Sequence, residues 1–113
     1  MTDNGASRAL NVALTDRDAT VVVTVRGEVD IASVPELQSA LEEAQQRGSA
    51  PVVDMSGVGF MGSVGLSALL VAAEAAQPER LRVVVSSAVR RPIEVTGLDK
   101  TLVLFDSLDA VFA

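Results

Sequence analysis

The stretch DMSGVGFMGSVGLSALL, Asp54 to Leu70, decides how this chain folds. The residues leading into it, APVVDM (50–55), form a short apolar run of strand character. Beyond it, Leu66, Leu69, Leu70 and Ala73 recur at helical spacing and predict a helix over 64–76. Between the two lie Gly57, Gly59 and Gly62, which spell G-x-G-x-x-G, with Ser63 next in line. The segment therefore reads as strand, glycine-rich turn, helix. The helix carries one charge, Glu74, in thirteen residues. So apolar a helix is either largely enclosed or shows a bare face to a partner.

Upstream, ALNVALT (9–15) places Leu10, Val12 and Leu14 on one face, and TVVVTVRG (20–27) alternates Val21, Val23 and Val25 against Val22, Thr24 and Arg26. With the turn DRDA (16–19) between them, the two strands form a hairpin. SVPELQSALEEAQQRG (33–48) is a helix with Leu37, Leu41 and Ala44 as its buried stripe. Ser33 and Glu36 have capping-box spacing, Pro35 lies in the first turn, and Gly48 ends the helix. Downstream, LRVVVSS (81–87) is a strand, and AVRRPIEVTGLDK (88–100) holds a short helix whose regular part should begin near Arg91, because Pro92 would cost an interior hydrogen bond. Gly97 is its C-terminal cap. TLVLF (101–105) is a last strand, and SLDAVFA (107–113) a last helical turn or two capped by Ser107.

The resulting order, β-β-α-β-α-β-α-β-α, implies an α/β fold: one domain over 9–113 with a mixed sheet of four to five strands and about four helices, after a flexible N-terminus at 1–8. The chain's 113 residues suffice for one core without staples. There is no Cys and no His, which removes disulfides, thiolate zinc sites, the commonest general base and any Ser-His-Asp arrangement. The net charge is −6, with no basic stripe and no Tyr or Trp, which argues against a nucleic-acid partner. No apolar run approaches the roughly 20 residues of a membrane span, and no signal-peptide pattern opens the chain, so a cytoplasmic protein without membrane contact is expected.

Two features of the central stretch carry candidate chemistry. The glycine fingerprint does follow a strand and open a helix, as a dinucleotide site requires. Against it, Phe60 and Met61 crowd the turn, the next strand ends in Ser86-Ser87 where an acid is needed, and only one mononucleotide-binding half fits the chain. The plainer reading is that the glycines allow a sharp turn with close packing. No cofactor is therefore expected, and no tight acidic cluster suggests a metal. Ser63 is either a helix cap or a phosphate acceptor, and spacing alone leaves both open. A helix start collects unpaired N–H groups and partial positive charge, so a phosphate there is tolerated by the fold. It adds about −1.5 to −2 charges to one surface patch, enough to turn a docking partner away without catalysis.

Several pieces, taken in order from about residue 10 to 112, resemble the STAS domain family, and within it the bacterial anti-sigma factor antagonists. GEVD (27–30) resembles the family's G-E-L-D. VVDMSGVGFMGSVGL (52–66) resembles D-x-S-x-V-x-F-[IM]-D-S-x-G-L, and VTGLDKTLVLFDSLDAV (95–111) its closing segment. The resemblance implies a binding protein rather than an enzyme. It implies a partner anti-sigma factor with a serine-kinase fold, which phosphorylates a serine at the start of the second helix, and a phosphatase that reverses this. Ser63 matches the acceptor, Gly65 and Leu66 match the G-L, and Asp30 falls on the same loop-bearing end. The implied partner-binding residues are Glu28, Asp30, Gly59, Gly62, Ser63, Val64 and Gly65. Gly62 departs from the family's acid before the acceptor, and Val64 from the usual Ser or Thr after it. That departure keeps a STAS-type interaction or scaffold domain without a phospho-switch as the alternative reading, with a small nucleotide-binding protein behind it.

Overall fold

A computed structural model describes residues 9–48 and 50–113; the expectation for 1–8 lies outside these. Five strands form one sheet: β1 (Asn11–Arg17), β2 (Thr20–Val29), β3 (Val52–Met61), β4 (Arg82–Val85) and β5 (Val103–Phe105). Four helices alternate with them after the hairpin: α1 (Val34–Gln46), α2 (Ser63–Ala76), α3 (Ser87–Thr96) and α4 (Leu108–Val111). The spatial order of the strands is β1-β2-β3-β4-β5, the order of the chain. β1 runs antiparallel to β2, and every other pair is parallel. The hairpin turns on Asp18 and Ala19, both at positive φ (52° and 65°), the two-residue geometry that matches strand twist.

The alternation of β2 sends Val23 and Val25 to one face, where Val53, Met55, Val83 and Val85 join them. α1, α2 and α3 cover this face with Leu37, Leu41, Ala44, Leu69, Ala73, Val89 and Ile93, all buried. Truncating a side chain as enclosed as Leu37 or Leu69 to Ala costs about 2–5 kcal/mol. The other face buries the smaller cluster of Val22, Val52 and Val84, under the half-buried Phe105, Leu108, Val111 and Phe112. α4 is held there by Arg17, whose guanidinium lies 4.4 Å from the centre of the Phe112 ring and 3.6 Å from Asp109. Among the described residues no helix is long and apolar enough to cross a membrane.

Three local expectations are corrected. The glycine stretch is not a loop: β3 runs through it to Met61, pairing Gly57 with Arg26, Val58 with Gly27, Phe60 with Glu28 and Met61 with Val29. Two register shifts interrupt this pairing, so burial follows Val58 and Met61 instead of strict alternation. The Ser33–Glu36 capping box does not form; the Ser33 hydroxyl is used by the preceding turn, described below. α3 starts at Ser87 with Pro92 inside it. The hydrogen bond lost at Pro92 is outweighed by a Ser86 side-chain cap and by burial of Val89 and Ile93. On α2 the buried positions are Gly65, Ala68, Leu69, Ala72, Ala73 and Ala76, and Leu70 is exposed. The expected αL cap at Gly97 is present at φ 78°, with its N–H donating to the Glu94 carbonyl at 3.1 Å.

Candidate docking site at the strand ends

Each of the four α-helices has a serine at its cap or first position; α3 has two, of which the second, Ser87, is exposed with no hydrogen-bond partner among the described residues. Ser33, before α1, donates to the Glu28 carbonyl at 2.9 Å and accepts from the Asp30 N–H at 3.0 Å. Ser86, before α3, accepts from the Val89 N–H at 3.3 Å and donates to the Val58 carbonyl at 2.7 Å. Ser107, before α4, accepts from the Ala110 N–H at 3.2 Å. Ser63 is not a cap. It is the first residue inside α2, and Gly62 holds the cap position in an extended conformation, φ −79° and ψ 177°. The Ser63 side chain is exposed and has no hydrogen-bond partner among the described residues. A hydroxyl at this place faces water beside the unpaired N–H groups of the helix start.

The other residues singled out in the sequence gather around it to different degrees. The Gly62 N–H donates to the Val29 carbonyl at 2.9 Å, which ties the start of α2 to the end of β2. Glu28 pairs in register with Phe60, just before Gly62. Asp30 follows directly on β2; its Oδ1 accepts from the N–H groups of Ala32 and Ser33, each at 3.0 Å, so it shapes the turn into α1. Gly59 is exposed and Val64 half-buried. Gly65 lies beneath the surface, where a Cβ would stand 2.5 Å from Met61 Cγ and 2.9 Å from Val29 Cγ1. It sets how closely α2 sits on the sheet and offers a partner no side chain. Asp54 stands inside β3, buried, with Oδ1 accepting from the Ser56 hydroxyl at 2.7 Å and its N–H at 3.1 Å. Carboxylate and turn thus brace the strand that leads to the site.

The sheet order bears directly on the glycine fingerprint. Dinucleotides bind where the strand order of a parallel sheet reverses and neighbouring crossovers part to leave a crevice. Here the order runs in one direction across the whole sheet, and Gly57 and Gly59 are strand residues paired to β2 or beside it. At this end of the sheet, turns lead from β2 into α1 and from β3 into α2.

A family model described as "Mlab, STAS domain" matches residues 12–105. The chain belongs to the STAS domain family. This STAS domain is 37% identical over 106 residues to the anti-sigma-F factor antagonist RsfB of Mycobacterium tuberculosis, covering 91% of this chain and 87% of that protein. It is 34% identical over 93 residues to the anti-sigma-B factor antagonist of Staphylococcus aureus, covering 79% and 86%. In three dimensions it matches an anti-sigma factor antagonist from Mycobacterium paratuberculosis with a TM-score of 0.84 at 37% identity, over 93% of this chain and 92% of the other. At 21% identity it shares the fold of the anti-sigma factor antagonist SpoIIAA, with a TM-score of 0.67 over 91% and 93%.

Two residues of the STAS rim escaped the sequence reading. Ile31 is 81% exposed in the turn after Asp30, and Phe60 is 49% exposed beside Gly62. Phe60 had a signal in the sequence, as a bulky side chain among glycines. Ile31 had none, because one apolar residue between Asp30 and Ala32 has no period to betray its direction.

Proposed function

We propose that this STAS domain is an anti-sigma factor antagonist. It binds an anti-sigma factor of serine-kinase fold, which frees the sigma factor, and it is released when that kinase phosphorylates Ser63; a phosphatase resets it. It acts by binding, in the cytoplasm, and needs no cofactor. The single observation that carries the reading is the position of Ser63: the exposed first residue of α2, without a hydrogen-bond partner among the described residues and at the acceptor place of the family motif, while the cap serines Ser33, Ser86 and Ser107 are held by backbone groups and the similarly exposed Ser87 of α3 lies outside that motif. The antagonist names of RsfB and of the Staphylococcus aureus relative support it over most of the chain. Glu28, Asp30, Gly59, Gly62, Ser63 and Val64 form the docking face, with Gly65 positioning α2 beneath it.

The test mixes the purified domain with kinase-fold anti-sigma factors and ATP. The expected result is a complex and a phosphate-sized mass increase that maps to Ser63. One observation favours a second reading, a STAS interaction domain without the switch: Gly62 stands where the family pattern has an acid. That reading requires complex formation without phosphorylation, and a Ser63→Asp variant that binds as tightly as the wild type.

A further inference from the structure

The strand-end rim has two halves of different character. Residues 28–36 carry Glu28, Asp30 and Glu36 and no Lys or Arg; residues 59–66, which include Ser63, carry no charge at all. Each half also presents one large apolar side chain that the core does not take up, Ile31 at 81% exposure and Phe60 at 49%. The register shifts in β3 turn Phe60 outward while Val58 and Met61 go inward. Its ring lies against Gly62, 3.7 Å from where a Cβ there would stand, so it flanks the residue that precedes Ser63. Single exposed apolar residues are ordinary on a surface. Two on one rim, beside an unpartnered hydroxyl, are a docking pattern: apolar anchors carry most of the energy of a protein interface and charges tune its partner choice.

We propose that Ile31 and Phe60 are the two anchors of this rim. They seat on an anti-sigma factor surface that is apolar opposite Phe60 and Ser63 and cationic opposite Asp30 and Glu36. The inference rests on the function proposed above and names the chemistry of that partner's face. A second copy of this chain fits less well, because residues 28–36 and 59–66 offer no cation to the other copy's Asp30 and Glu36, and burying those two carboxylates without a counter-charge is costly. The arrangement also explains how a phosphate acts as an off-signal on a face that attracts cations. On Ser63 it enters the uncharged half, where it is desolvated against apolar groups with no counter-charge. Its effect therefore does not depend on long-range repulsion and resists screening by salt.

The experiment is a calorimetric titration of the whole chain with its kinase-fold anti-sigma factor at low and high salt, alongside melting curves of each variant. Phe60→Ala and Ile31→Ala are each expected to weaken binding about tenfold or more with an unchanged melting temperature. Val95→Ala, equally apolar and 75% exposed on α3, binds as the wild type. Glu36→Lys weakens binding at low salt and loses most of that effect at high salt, whereas the loss in Ser63→Asp persists. Should Phe60→Ala melt early, Ile31→Ser in its exposed turn carries the test. Wild-type affinity in both anchor variants, with Ser63→Asp still impaired, overturns the anchors and leaves the switch standing. Absence of binding by the wild type to any kinase-fold anti-sigma factor overturns both. Self-association of the free chain that Phe60→Ala abolishes assigns the rim to a second copy and overturns the proposal.

Discussion

Ser63 and Ser86 hold nearly the same place in two consecutive units, each where a helix follows a central parallel strand, yet they are used in opposite ways. Ser86 is the cap of α3 and spends its hydroxyl on the Val89 N–H and the Val58 carbonyl. Ser63 is one residue further along its helix, and its hydroxyl is left to solvent. The difference lies in how each helix start is secured. α3 has a side-chain cap. α2 is fixed by the close approach of Gly65 to Met61 and Val29 and by the backbone bond from Gly62 to Val29. Packing secures this helix start without help from the Ser63 hydroxyl.

The largest expected effect comes from breaking that packing. Gly65→Val puts a branched side chain where a Cβ already meets Met61 and Val29 below 3.0 Å. It should destabilise the domain by about 3 kcal/mol, seen as a fall in the urea midpoint without a change in slope. Next is Ser63→Asp, which should weaken anti-sigma factor binding by about 1–3 kcal/mol while the melting temperature holds, because the added charge sits at the positive end of α2. Ser86→Ala should show the reverse pattern. It should lose about 1–2 kcal/mol of stability, as a cap is removed and the buried Val58 loses its partner, with affinity for the anti-sigma factor unchanged. The smallest effect sharpens the contrast: Gly62→Asp should stabilise by a few tenths of a kcal/mol, since Gly62 already has the backbone of a good cap and room for a side chain. The same change should speed phosphorylation of Ser63 if the missing acid is what slows it.

The period-2 and period-3.6 patterns made the hairpin, α1 and the order of elements legible before any coordinates. The β2 valines and the Leu37-Leu41-Ala44 stripe each have one face to bury, and both do so. Three things were not legible, each because two residues or two segments compete for one role. Glycine between Ser56 and Gly62 signals a turn locally, but pairing with β2 satisfies the backbone and keeps it extended. Ser33 fits a capping box by spacing, yet Asp30, directly after β2, takes the Ser33 N–H, and the hydroxyl donates back to the Glu28 carbonyl. Pro92 argues for a late helix start, but a good cap and two buried side chains outweigh one missing bond. At the site, Ser63 and its neighbours were readable from motif spacing. The exposure of Ile31 and Phe60 was not, because it follows from bulges and turns that leave no periodic trace.

The one-directional order of the strands also bears on how the molecule is made. Each parallel strand pairs with the strand translated just before it. A ribosome delivering the chain from its N-terminus can therefore extend a standing edge one crossover at a time. No late strand has to be threaded between two earlier ones. The contacts of Arg17 with Asp109 and Phe112 then fasten α4 to the first hairpin.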